Sequence, residues 1–239
     1  MVIGRLKSLV IAAATVGAAG AALAQGEGLS VSAGVRAWYA QWSTFSYLTD
    51  ASNRNIGLIQ VSADAKVVVV PQLSARYGNY LASLSVMPST RFSFVDGGSG
   101  TRREYDVILG YSVLPGLNLT AGYKKISQRD GDTRYEPGGL VLGLSGSAPV
   151  AEGISLYGSF GAGRLKTPQT GGPEVVKFKT QYRLTELGLA YASVPSPGAL
   201  RWTLSAGYRI QVMDSKEAFG VQDGRDTTQG FAFGALLRF

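Results

Sequence analysis

The sequence predicts an all-β protein, specifically a transmembrane antiparallel up-and-down β-barrel of ten strands. Apolar and polar residues alternate along most of the chain, which is the signature of β-strands with two different faces. The candidate strands are about 10 to 14 residues long, a length that suits a tilted bilayer crossing. Short turns alternate with longer polar segments between them, which is typical of barrels with one short-turn end.

The N-terminus of the 239-residue chain has the pattern of a secretory signal peptide. Arg5 and Lys7 precede an apolar run from Leu9 to Ala18, and Ala22-Leu23-Ala24 is a typical cleavage site. A membrane anchor is the alternative, but the run is short and consists largely of Ala and Gly, which insert weakly. We therefore predict a cleaved signal peptide over 1–24 and a barrel domain over 25–239.

The alternation is clearest where Leu200, Trp202 and Leu204 face away from Arg201, Thr203 and Ser205. Ten segments of this kind follow one another along the chain. The predicted strands lie near residues 29–39, 67–77, 80–92, 103–113, 117–124, 140–147, 154–165, 179–193, 199–210 and 231–239. A range of about eight to twelve strands stays open, because Ile56 to Val61 can also pair and the segments near Tyr157 and Tyr182 are irregular.

The segments between the predicted strands come in two sizes that alternate along the chain. The tight turns are Gly78-Asn79, Pro115-Gly116, Pro149 to Gly153 and Pro195 to Gly198. The long polar segments are 43–66, 95–102, 128–137, 166–178 and 213–228. An even strand count places all the long segments at one end, which is the external end in barrels of the bacterial outer membrane.

The last ten residues, Gly230 to Phe239, alternate and close on an aromatic residue. This ending resembles the C-terminal assembly signal of small bacterial outer-membrane β-barrel proteins. The residues that carry the resemblance are Phe231, Phe233, Leu237 and Phe239. The resemblance implies a Gram-negative outer membrane, outer-membrane lipid around the barrel, and the barrel-assembly machinery as a partner.

The inward faces of the predicted strands carry more basic than acidic residues. We predict a lumen or constriction formed by Arg36, Arg76, Arg91, Glu104, Asp106, Lys124, Glu186, Arg201 and Arg209, with Arg238 nearby. Strand pairing predicts one network of Arg91, Asp106 and Lys124, with Glu104 near the outer rim. It also places Glu186 diagonally beside Arg209.

Two functions are compatible with this interior. In one, the ions neutralise one another and hold the lumen shut, since an unpaired charge there is costly. In the other, surplus positive charge forms a constriction that favours small anions. We predict a narrow porin-like channel for small, anionic solutes; the alternative is a non-conducting structural or adhesive barrel that acts through its external loops. The apolar 43–66 segment either plugs the mouth, extends the flanking strands or presents a docking patch.

Catalysis is not predicted, because the chain contains no His. Known outer-membrane barrel enzymes such as omptin proteases and phospholipases use His as a base or an orienting group, and none of these sites carries over. Cys is also absent, and no Asp-rich calcium loop occurs, so neither a metal nor another cofactor is predicted. Despite the net charge of +7, the Lys and Arg residues are scattered, so nucleic acid is not an expected partner.

Overall fold

A computed structural model describes residues 28–49, 55–171, 175–193, 200–218 and 221–239. The predicted signal peptide, 1–24, lies outside these residues. The described chain forms twelve β-strands: β1 (Leu29–Thr49), β2 (Asn55–Ser62), β3 (Lys66–Tyr77), β4 (Tyr80–Ser93), β5 (Ser99–Leu114), β6 (Leu117–Asp130), β7 (Thr133–Tyr135), β8 (Gly138–Ala151), β9 (Ile154–Thr170), β10 (Val176–Ala192), β11 (Arg201–Ala218) and β12 (Val221–Arg238). None of the described residues belongs to a helix long and apolar enough to cross a membrane.

Ten of these strands close into one antiparallel barrel, which confirms the predicted fold class and strand number. Each strand pairs with its neighbour in the chain, and β12 pairs with β1 from Ser32–Arg238 to Ser46–Gly224 to close the cylinder. The two short strands lie at one end of the barrel. Strand β2 pairs with the last part of β1, and β7 pairs with β6 and β9. Closure gives each barrel strand a neighbour on both sides, and the shortest of these ladders is that of β3 and β4, from Gln72–Ser85 to Tyr77–Tyr80.

One end of the cylinder carries the short turns. The start of β1 and the C-terminal residue, Phe239, lie at this same end. The turns at Gly78 and Gly116 have φ angles of 54° and 78°, a backbone conformation that Gly adopts at little cost. The Phe239 amide donates to the Val31 carbonyl at 2.8 Å, so the C-terminus lies beside the start of β1. The predicted turn at 195–198 lies outside the described residues.

At the opposite end, most of the segments predicted as long loops are β-structure. Strand β1 continues to Thr49 and pairs with β2 from Ser43–Ser62 to Thr49–Asn55. Strands β11 and β12 likewise stay paired as far as Ala218 and Val221. The described parts of the apolar 43–66 segment, 43–49 and 55–66, therefore extend the flanking strands, one of the outcomes considered above. These extensions were not predicted because a strand beyond the lipid needs no apolar outer face, so its residues do not alternate between apolar and polar.

The outward face carries an apolar band bounded by aromatic side chains. Strand β3 advances by ten residue steps from Tyr77 to Val67, and Val67 pairs with Tyr39 at the other edge of the band. At about 3.3 Å per residue and a tilt of about 40°, this length gives a band about 25 Å tall, the height expected for a membrane barrel. The exposed aromatic residues at the two edges are Tyr77, Tyr80, Tyr111, Tyr191 and Trp202 at the short-turn end and Tyr39, Tyr123, Tyr208 and Phe231 at the other.

Strand β4 contains a bulge. In the half of the strand that follows the bulge, the side chains predicted to point inward point outward, and those predicted to point outward point inward. The pairing with β5 shifts between Met87 and Thr90, around Pro88, which has no N–H to donate to the ladder. Phe92 therefore points inward and is buried, whereas Arg91 points outward and donates to the Ser99 hydroxyl at 2.8 Å. The prediction that Arg91 lies in the lumen is wrong for this reason.

Candidate functional site

A network of buried ions crosses the middle of the barrel. Lys124 Nζ lies 2.7 Å from Glu104 Oε2 and 2.9 Å from Asp106 Oδ1, and Lys124 and Asp106 are direct partners in the β5–β6 ladder. Arg102 Nε approaches Glu104 Oε1 at 2.6 Å. From β11, on the far side of the lumen, the Gln211 amide also donates to Glu104 Oε1, at 2.9 Å. Glu104 thus joins three side chains.

Two predictions about this network need correction. Glu104 was predicted to lie outside the network, near the outer rim, whereas it is 3% exposed and lies at the centre of the network. Arg102, and not Arg91, supplies the additional guanidinium. Arg102 was assigned to a loop, although it lies two residues before Glu104 and so shares its face once β5 is extended to Ser99.

A second ionic cluster lies beside the first. Arg209 Nη1 lies 2.9 Å from Glu186 Oε2, and Arg36 Nη2 lies 3.7 Å from Glu186 Oε1. The Tyr157 hydroxyl donates to Glu186 at 3.0 Å. Glu186 and Arg209 are direct partners in the β10–β11 ladder, whereas the sequence predicted a diagonal contact. Burial makes each partner depend on the others, because a charge left alone there loses its solvation without compensation.

Three of the basic groups in these clusters each lie close to an aromatic ring. Arg209 lies 5.2 Å from the Trp38 ring centroid, Lys124 lies 5.3 Å from that of Tyr182, and Arg102 lies 5.9 Å from that of Trp42. Trp38 and Tyr182 are themselves buried. The side chains of both ionic clusters and these rings are almost fully buried, so side chains fill the middle of the barrel.

Apolar side chains also point into the barrel, a feature that the predicted polar lumen missed. One group lies on β1, β3 and β4, and a second lies on β6, β8, β9, β10 and β11. The larger members are Trp38, Trp42, Val68, Val70, Met87 and Phe92 in the first and Ile126, Val141, Leu165, Tyr182, Leu184 and Met213 in the second. The alternation of β1, continued past Arg36, would have placed Trp38 and Trp42 on the inner face.

The remaining predicted lumen residues lie toward the short-turn end. Arg76 donates to the Ser112 hydroxyl at 2.9 Å, and Arg238 donates to the Ser30 hydroxyl at 2.6 Å. Arg201 pairs with Arg238 in the ladder and is exposed. The structure therefore brings six of the predicted residues together in the middle of the barrel, namely Arg36, Glu104, Asp106, Lys124, Glu186 and Arg209.

Above the filled layer, three side chains form a lid. Trp42 Nε1 and Gln128 Nε2 each donate to the Asp226 carboxylate at 3.3 Å, and Gln128 and Asp226 belong to strands on different sides of the lumen. The sequence had assigned Asp226 to a loop. Above this lid, the extended hairpins enclose a cavity of about 370 Å³, which we call the cup. Its lining includes Trp42, Thr44, Phe94, Gln128, Asp130, Tyr135, Thr167, Gln169, Phe178, Thr180, Ser215 and Asp226.

The described residues contain no group of three or more Asp or Glu side chains placed to hold a metal ion.

No family model and no curated protein matches the sequence. Solved structures do match. The outer membrane protease OmpT from Escherichia coli superposes with a TM-score of 0.56 at 10% identity, over 88% of this chain and 96% of that one. The translocator domain of autotransporter NalP from Neisseria meningitidis gives 0.44 at 12% identity, over 90% of this chain and 89% of that one. The chain has the fold of the small bacterial outer-membrane β-barrels. At these identities the likeness is one of fold alone.

The two ends of the barrel are unequal. In such barrels short turns face the periplasm and longer hairpins face the outside. The cup lies among the longer hairpins, at the end that faces outward in barrels of this fold.

The predicted assembly signal lies on the outer surface of the outer-membrane barrel. Its side chains, Phe231, Phe233, Leu237 and Phe239, are between 42% and 69% exposed and belong to the lipid-facing side. Recognition of these residues by the assembly machinery stays a prediction.

Proposed function

We propose that this outer-membrane barrel is closed across its middle and acts at the cell surface by binding a small ligand in its outer cup. The observation that carries the proposal is the filled ionic layer directly beneath an open cavity of about 370 Å³. Cavities of this size are typical of small-molecule sites. The proposal develops the non-conducting alternative that the sequence left open.

The lining of the cup supports this function. It combines aromatic rings with a small number of hydroxyl, amide and carboxylate groups, the mixture found in sites that bind and orient a small molecule. Its walls are paired hairpins; the β11–β12 ladder, for example, continues from Thr228 to Gly224 on one strand and from Gln211 to Ser215 on the other. Walls that are already paired lose little conformational entropy on binding.

A narrow channel for small anions is the second candidate, and two observations favour it. The buried layer holds four basic side chains, Arg36, Arg102, Lys124 and Arg209, against the carboxylates of Glu104, Asp106 and Glu186. In addition, Arg102 Nη1 and Nη2 are buried without a hydrogen-bond partner among the described residues. An anion that entered an opened lumen would meet these donors.

Conductance in planar bilayers tests the closed state. We expect the refolded barrel to insert without steady openings, because buried side chains fill its middle. A double substitution of one inner ion pair, Glu104→Ala with Lys124→Ala, removes volume and keeps the net charge, and should produce openings. The matched control is Arg183→Ala with Asp214→Ala, an ion pair on the outer wall of the extension, which should stay silent.

Steady openings of the unaltered protein would contradict the closed state. If those openings prefer anions, and if Arg209→Glu weakens the preference, the channel becomes the better account of the structure.

Catalysis is not part of the proposal. The chain contains no His, and the buried carboxylates of Glu104, Asp106 and Glu186 are each engaged by a basic side chain. None of these three carboxylates belongs to the lining of the cup. Assays of the purified barrel with peptide and ester substrates should therefore show no hydrolysis above the uncatalysed rate in buffer.

A further inference from the structure

The charge inside the cup is acidic. Among the residues that the structure describes, the charged members of its lining are Asp130, Asp226 and Arg225. Successive side chains of β12 point to opposite faces, so Asp226 points inward and Arg225 points outward. On the outer wall Arg225 Nε lies 2.5 Å from Asp214, which also pairs with Arg183. The two carboxylates on the inner wall are therefore not neutralised by the Arg225 side chain.

The Asp226 carboxylate is held by neutral donors. Trp42 and Gln128 supply its hydrogen bonds, and among the described residues no Lys or Arg nitrogen lies within ion-pair distance of either Asp226 or Asp130. Burial raises the pKa of the nearby Tyr135 hydroxyl, and the negative charges of Asp226 and Asp130 raise it further. The negative charges of Asp226 and Asp130 therefore act on a third residue of the cup wall.

Aromatic rings share the cup with these carboxylates. Trp42 and Phe94 lie with their ring centroids 5.1 Å apart, and Tyr135 and Phe178 complete the aromatic lining. Aromatic faces attract cations, and quaternary ammonium groups are typically bound where several rings meet. The Trp42 ring already has the Arg102 guanidinium 5.9 Å from its centroid.

We propose that the cup binds an amphipathic organic cation, an amine or a quaternary ammonium on an apolar body. The cationic group lies against Asp226 and Asp130, and the body packs on Trp42, Phe94 and Phe178. This inference rests on the proposed function and names the ligand class of the same cavity. An anionic ligand would meet the two carboxylates without an inward-pointing basic side chain among the described lining residues to offset them.

Titration calorimetry with a matched pair of probes tests the charge requirement. Acetylcholine is a quaternary ammonium ester, and 3,3-dimethylbutyl acetate is its uncharged isostere of nearly the same shape. We expect the purified barrel in detergent to bind the cation at least about tenfold more tightly, and added salt to weaken its binding. Asp226→Asn should reduce cation affinity by about tenfold or more, because it removes the charge and leaves the side-chain shape unchanged.

The matched control is Asp132→Asn, which makes the same charge change at an exposed turn outside the cup. It should leave the affinity unchanged. A second variant, Tyr135→Leu, tests the aromatic contribution and should also weaken binding of the cation. Retention of the folded, heat-modifiable band on gels shows that each variant keeps its barrel.

The outcomes separate this inference from the function on which it rests. Equal binding of the two probes would overturn the cation inference and leave a ligand-binding cup in place. Binding of Ca²⁺ without either organic probe would overturn the inference in favour of an inorganic cation. If neither probe nor Ca²⁺ binds, both the inference and the proposed cup function fail.

Discussion

Replacing Lys124 by Ala is expected to lower the free energy of unfolding by about 3–5 kcal/mol. Lys124 Nζ is the shared partner of Glu104 and Asp106, at 2.7 Å and 2.9 Å. Without it, Asp106 loses its ion-pair partner and Glu104 retains only Arg102 and Gln211. The measurement is unfolding of the refolded barrel in increasing denaturant. The folded fraction is read from the heat-modifiable band on gels.

The control for this change is Lys125→Ala, at the next position of β6. Lys125 is on the outer face, its side chain is 49% exposed, and its Glu136 partner lies 3.7 Å away. Loss of such a pair should cost about 0–1 kcal/mol. Adding Asp106→Asn to Lys124→Ala should recover part of the loss, because it removes one of the stranded charges. Equal effects of the Lys124 and Lys125 substitutions would show that the inner ion pairs do not stabilise the barrel.

Replacing Gly230 by Val is expected to prevent closure of the barrel. Gly230 has a φ of 151°, and a Cβ atom built there would overlap the Tyr39 carbonyl oxygen of the neighbouring strand. Gly230 pairs with Ala40, so the collision falls on the β1–β12 seam that closes the cylinder. We expect a loss of about 4 kcal/mol or more, which amounts to failure to refold.

Gly28→Val is the control for Gly230→Val. It makes the same change of residue type at a position where no atom lies within 4 Å of the added Cβ. It should refold with nearly the yield of the unaltered chain. Refolding yields into detergent, read from the heat-modifiable band, distinguish the two variants. Normal refolding of Gly230→Val would mean that the seam relaxes around the side chain and that the close packing described here is not required.

Local alternation was sufficient to predict the barrel and part of its interior. Lys124 and Asp106 lie on two strands in which apolar and polar residues clearly alternate. The short Pro115-Gly116 turn joins these strands and fixes their register, so the pairing of the two residues could be predicted. Glu186 and Arg209 were also placed near each other, with an error of register. Each of these pairs belongs to strands that neighbour each other in the chain.

Two physical causes explain the individual residues whose position the sequence did not predict. Arg102 and Asp226 lie in strand extensions beyond the lipid, where both faces are polar and alternation carries little information. The inward turn of Phe92 depends on the bulge at Pro88, which shifts the face by one residue.

Contacts across the lumen form a third class. Gln211 reaches Glu104 over 107 positions of the chain. Such contacts depend on the stagger of the whole cylinder, to which every strand contributes. No single turn or strand encodes them, so they become visible only in the closed barrel.

Cysteine accessibility tests the closed middle of the barrel most directly, because the chain has no Cys of its own. Thr44→Cys places a thiol in the cup, and Ser112→Cys places one in the lumen near the short-turn end. In liposomes with a known barrel orientation, a membrane-impermeant thiol reagent added on the cup side should modify Thr44→Cys and spare Ser112→Cys. The same reagent added on the short-turn side should give the reverse. Comparable labelling of both positions from the cup side would contradict a closed barrel and show a continuous path through the ionic layer.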